Sequence, residues 1–200
     1  MKKLFIKTAV AVSLLICFSG CIKNDPVLVV GQQVEFDATS WNSNAAGLTY
    51  PIIGRVPGYG RVANTSDSTL RRYPQTIKVR INLIGAQLSS TTETVGYEVS
   101  TLAPITTFAM PVTTTAPPQS PAAPATTLAI VNAVAGTHYA PLNGKITFAA
   151  NTSFAFIDIT ILNPGPTPGE GRYLGLKLNG TGTLKPALNY NELGLVIDQR

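Results

Sequence analysis

Four stretches of this 200-residue chain place apolar side chains at every second position: Ile77, Val79, Ile81 and Leu83; Ala155, Ile157, Ile159 and Ile161; Leu174, Leu176 and Leu178; and Leu193, Leu195 and Ile197. A period of two puts each set on one side of an extended strand, and no segment sustains the 3.6-residue period of a helix. The class is therefore all-β, with a β-sandwich as the expected architecture. Phe154 and Phe156 begin the opposite side of the second stretch. Both its faces then look largely covered, which predicts an interior strand. Shorter β-type runs occur at Val27 to Val30, Val34 to Phe36, Val95 to Val99 and, after the Asn143-Gly144 turn signal, Lys145 to Ala149.

Two regions break the pattern. From Trp41 to Tyr73, Asn, Ser, Gly and Pro recur without periodicity, which reads as long loops or short strands. Thr101 to Thr127 holds six prolines and eight threonines and no charged residue. Proline fixes φ and removes a donor, so this stretch is expected to be an extended loop, neither central strand nor helix, and dispensable for folding. It could instead link two domains, but about 75 residues before it would bury a core only marginally. One sandwich over residues 27–200 with a 101–127 insertion is the preferred reading.

The N-terminus carries an address. Lys2, Lys3 and Lys7 precede an apolar run from Thr8 to Phe18, and Ser19-Gly20-Cys21 closes it with small residues. The run is too short for a permanent membrane span and has the order of a cleaved signal. It resembles the signal peptide of bacterial lipoproteins, which implies removal of residues 1–20, acyl chains on Cys21 and a tether over residues 21–26. Lys23-Asn24-Asp25 is partly similar to the signal that sends some lipoproteins to the outer face. Ile22 is not the inner-membrane retention aspartate, so the outer membrane is the expected location, on either face. Without the three signal lysines the charge falls from +5 to 12 basic against 10 acidic residues, a formal +2, and a nucleic-acid partner has no support. On that resemblance Cys17 leaves with the signal and Cys21 takes the lipid, which leaves no thiol for a disulfide, metal or nucleophile.

Gly136-Thr137-His138-Tyr139, then Gly144-Lys145-Ile146-Thr147-Phe148, then the strand from Phe154 resemble the Calx-beta pattern of a Gly-Thr-Asp-Tyr turn, a Gly-x-x-x-Phe strand and a long following strand. The resemblance spans roughly residues 77–198 and implies an immunoglobulin-like sandwich. The family's calcium sites use clustered carboxylates, and here His138 stands in place of the turn's acid, so no metal or other cofactor is implied. Leu188-Asn189-Tyr190-Asn191 before the last strand is similar to uncharacterised surface lipoproteins of Gram-negative bacteria, several of them associated with glycan uptake.

Catalytic chemistry is thin. His138 is the only histidine, no Gly-x-Ser-x-Gly motif accompanies it, and the ten acids are scattered singly. His138 reads as a turn or packing residue. The densest binding chemistry is the set Trp41, Tyr50, Tyr59 and Tyr73, interleaved with Arg55, Arg61, Arg71 and Arg72. Such rings could stack on sugars or anchor a protein partner, or could cap the ends of the sandwich. Asp67-Ser68-Thr69 resembles a bacterial O-glycosylation motif, which would make Ser68 the acceptor. These observations favour a non-enzymatic, membrane-anchored binding or assembly module for a glycan or an envelope protein. A hydrolase with an unrecognised site and a structural spacer remain the alternatives, because sandwiches host all three.

Overall fold

The alternating stretches become strands of two facing sheets. The structure, a computed structural model, describes residues 31–37, 47–59, 67–85, 89–100, 103–112, 124–180 and 184–200. The strands are β1 (Gln33–Phe36), β2 (Ile52–Ile53), β3 (Gln75–Ile84), β4 (Glu93–Ser100), β5 (Thr107–Met110), β6 (Thr126–Asn132), β7 (Lys145–Phe148), β8 (Phe154–Ile161), β9 (Glu170–Leu178), β10 (Lys185–Pro186) and β11 (Glu192–Asp198). One sheet has four strands in the order β10-β1-β3-β8, and the other has seven, running β2-β11-β9-β4-β7 with the β5–β6 hairpin attached beside β9. The all-β sandwich expected from the sequence is thus the observed architecture. The run Val27 to Val30 lies outside the described residues.

Each alternating set points into the space between the sheets. Ile77, Val79 and Ile81 of β3 and Ile157, Ile159 and Ile161 of β8 meet Leu174, Leu176 and Leu178 of β9 and Leu193, Leu195 and Ile197 of β11, all buried in one cluster. Each such side chain stabilises the fold by about 1.5–3 kcal/mol relative to an exposed position. The Gly136 turn also serves this core. Gly136 adopts φ +78°, its N–H donates to the Tyr139 carbonyl at 2.8 Å, and Tyr139 is delivered into the cluster.

The outer side of the seven-stranded sheet carries a second core. Ile52, Met110, Leu128, Tyr173 and Val196 are buried there, with Tyr50, Ile105 and Phe108 packed against them. Gly175 of β9 stands opposite Gly194 of β11. The Tyr173 ring occupies the space these glycines leave: a Cβ at Gly194 would come within 2.7 Å of the ring, and one at Gly175 within 2.9 Å of its hydroxyl.

This layer corrects the expectation that residues 101–127 form only an extended loop. β5 lies inside that segment and pairs antiparallel with β6, which in turn pairs parallel with β9. The proline rule holds locally, because Pro104 and Pro111 flank a proline-free window, Ile105 to Met110, and β5 fits within it. The composition of the whole segment concealed six residues able to form a strand. Since Ile105, Phe108 and Met110 cover Tyr173 and Val196, the segment is also not expendable for packing.

β8 corrects a second expectation. It ends the four-stranded sheet, and its second face is open to solvent: Phe154 is 47% and Phe156 39% exposed. Two rings followed by Asp158 and Thr160 make an ordinary alternation with an aromatic start, with core on one face only.

Candidate functional site: an aromatic ledge beside a polar groove

The antiparallel register of β3 and β8 sets Phe154 opposite Asn82, Phe156 opposite Arg80, Asp158 opposite Lys78 and Thr160 opposite Thr76, all on the outward face. Phe154 and Phe156 meet edge to face with ring centroids 5.6 Å apart. The Arg80 guanidinium lies between two rings, 5.0 Å from the Tyr59 centroid and 5.6 Å from that of Phe154. Below, Arg80 forms an ion pair with Asp37, whose side chain is fully buried. Lys78 Nζ reaches both oxygens of Asp158, at 2.9 and 3.2 Å, and stands 5.6 Å from the Phe156 centroid. These contacts hold the rings at the surface, with their exposed area available to a ligand.

Tyr59 braces one side of this ledge. Its hydroxyl accepts the Arg80 backbone N–H at 2.7 Å and donates to the Lys78 carbonyl at 3.1 Å. β1 pairs with β3 only from Ile81 onward, so the Tyr59 hydroxyl serves backbone groups of β3 beyond the reach of that partner strand. Its ring lies 6.1 Å from Phe156. Burial, the dominant cause, and the nearby Asp37 charge push its pKa up to about 12.

On the other side, β7 and β8 follow each other in the chain but end opposite sheets. A groove of about 410 Å³ runs between them, lined by Phe156 and Asp158 from the ledge and by Tyr97, Asn143, Lys145 and Thr147 from the opposite wall. Lys145 and Thr147 are the outward positions of β7. The Asn143-Gly144 turn shapes the wall: Gly144 takes φ +70°, and Asn143 Oδ1 accepts the Lys145 N–H at 3.0 Å. Tyr97 donates to the same oxygen at 3.4 Å, and burial raises its pKa. The volume falls in the range of small-ligand sites, about 300–1,000 Å³.

The aromatics picked out by sequence do not form one surface. Tyr59 belongs to the ledge, whereas Tyr50 packs against the second core with its hydroxyl 3.2 Å from that of Tyr173. Tyr73 lies beneath the guanidinium groups of Arg71 and Arg72, at 5.1 and 4.9 Å. Those arginines are themselves engaged: Arg71 Nη2 and Arg72 Nε donate to the Arg200 carbonyl at 2.9 and 3.1 Å. Ser68 is half-buried, and its carbonyl accepts the Val56 N–H at 2.8 Å. Trp41, Arg61 and Cys21 lie outside the described residues. Sequence reading missed Phe154, Phe156, Asn143 and Lys145 as site residues. Polar Asp158 and Thr160 following the two rings on one strand face were the available signal.

His138 is a packing residue, as read from the sequence. It is buried, its Nδ1 accepts the Val134 N–H at 3.0 Å, and burial together with the Arg172 charge lowers its pKa. Carboxylates are tied to cations across the fold: Asp37 to Arg80, Asp158 to Lys78, Glu170 to Arg172, Glu192 to Lys177, and Asp198 to Arg71 and Arg200. Among the described residues, no three His, Cys, Asp or Glu side chains converge as a metal site.

No protein-family model and no curated protein matches the chain. Among solved structures it is similar to the apo-form Calx CBD1 domain, at 14% identity and TM-score 0.43 over 84% of this chain and 99% of that one. It is also similar to CBD12 from CALX1.2, at 13% identity and TM-score 0.45, covering 84% of this chain and 46% of that one. A candidate carbohydrate-binding protein from Bacteroides ovatus matches at 9% identity and TM-score 0.40, over 63% of this chain and 32% of that one.

Proposed function

We propose that this chain is a non-enzymatic binding module, anchored to the outer membrane through lipid on Cys21, and that it holds a glycan on the outward face of the four-stranded sheet. The observation that carries this reading is the pair of exposed rings, Phe154 and Phe156, next to a polar groove. Pyranose rings present C–H faces that stack on aromatic rings and hydroxyls that need fixed hydrogen-bonding partners, and ledge and groove offer the two side by side. Packing on Tyr59, Arg80 and Lys78 uses only part of the two rings, and the apolar area left at the surface is free to meet a ligand.

The hydrolase alternative has less support. Glycoside hydrolysis needs two carboxyl groups flanking one bond, one of them able to donate a proton. Asp158, the carboxylate in the groove, already binds Lys78 with both oxygens, and Asp37 is buried beneath Arg80. Incubating the chain with a panel of immobilised polysaccharides, followed by binding and product analysis, tests the proposal. Retention without release of shorter sugars is expected. Cleavage would transfer the weight to the hydrolase, and no retention on any glycan would leave the spacer or a protein partner.

A further inference from the structure

Resting on that reading, we infer that the saccharide is acidic: a hexuronate-bearing chain stacks a sugar ring on Phe156 and turns a carboxylate toward Lys145 on the opposite wall of the groove. On the ledge, each cation is balanced by a carboxylate, Lys78 by Asp158 and Arg80 by Asp37. Across the groove, Lys145 is exposed, and no carboxylate among the described residues pairs with it in the way Asp158 pairs with Lys78. Asn143 Oδ1 is occupied by the Lys145 N–H and the Tyr97 hydroxyl, which leaves its Nδ2 as a donor. Thr147 adds a hydroxyl from the next outward position of β7.

The groove wall therefore carries an unbalanced positive charge at Lys145 beside the Asn143 Nδ2 donor, while the charge of the facing carboxylate, Asp158, is balanced by Lys78. A neutral saccharide needs acceptors as well as donors for its hydroxyls, whereas a sugar carboxylate needs donors and a positive charge. A cation at a groove rim also speeds encounter with a polyanion.

The test compares polygalacturonate with its methyl ester of the same length, which removes the charge and keeps the rings. Calorimetric titration of the full chain in detergent should give at least about tenfold tighter binding of the acid form, weakening with added salt. Lys145→Met keeps the aliphatic stem and should bring the two polymers to similar affinity. Asn143→Asp preserves the acceptor of the turn but removes the Nδ2 donor, and should also disfavour the acid form. Phe156→Ala should weaken both polymers alike. Equal binding of acid and ester by the wild-type chain, or an unchanged ratio in Lys145→Met, overturns the acidic preference and leaves glycan binding standing. Failure of the folded chain to bind either polymer overturns this inference. If the wider glycan panel is also empty, the binding-module reading falls with it.

Discussion

Tyr59 owes its place in the fold to its hydroxyl as much as to its ring. Its aromatic ring and loop setting suggested a stacking platform, but its hydroxyl closes two backbone hydrogen bonds of β3 while its ring covers Arg80. Tyr59→Phe leaves the part-buried Arg80 N–H without its acceptor, so unfolding should become easier by about 1 kcal/mol in denaturant titration. Its titration has a definite sign. A tyrosine at pKa about 12 when folded and about 10 when unfolded keeps its proton more firmly in the fold. Stability from this source is complete below pH 10 and is lost as pH rises through 12, and the alkaline loss should shrink in Tyr59→Phe. Phe154 and Phe156 went unrecognised because apolar residues on both faces of a strand look alike in sequence whether the second face meets core or water. Their exposure depends on whether a further layer covers that face of the sheet, which is a property of topology.

At the level of elements, strands with strict alternation were legible and those hidden by composition were not. β3, β8, β9 and β11 carry their own signature, since each must bury one row of side chains against the opposite sheet. β5 and β6 have weak alternation and sit among threonines and prolines; β6 pairs with β9 and β5 with β6, and the hairpin covers the outer face of the seven-stranded sheet. The Gly175 and Gly194 pair leaves room for Tyr173, and the hairpin covers it. Met110 is 1% exposed in this layer. Met110→Ala should therefore destabilise the fold by about 2–5 kcal/mol, measured by chemical denaturation. Replacing Pro104 to Pro124 with a short Gly/Ser loop should lower the melting temperature at least as much. Unchanged stability in both variants would mean that the outer layer contributes nothing.

For the whole molecule, the sequence supports an all-β sandwich and an address, and the structure adds where a ligand could sit. The groove is not legible in the sequence because it joins β7 and β8 across the edge of two sheets, with Tyr97 contributed from β4. If the proposed anchoring through Cys21 holds, Cys21→Ala should abolish labelled-palmitate incorporation and release the chain from the membrane fraction. Continued incorporation would remove the lipid from the account. The proposed function stands on ligand meeting the outward face of the four-stranded sheet. Affinity of Phe156→Ala for the retained glycan, read together with its melting temperature, tests this most directly. Affinity should fall by about 1–3 kcal/mol, with a modest drop in melting temperature that leaves the chain folded, since the ring is 39% exposed. Full affinity in Phe156→Ala, with binding lost instead on substitution of Tyr50 or Tyr73, would contradict it.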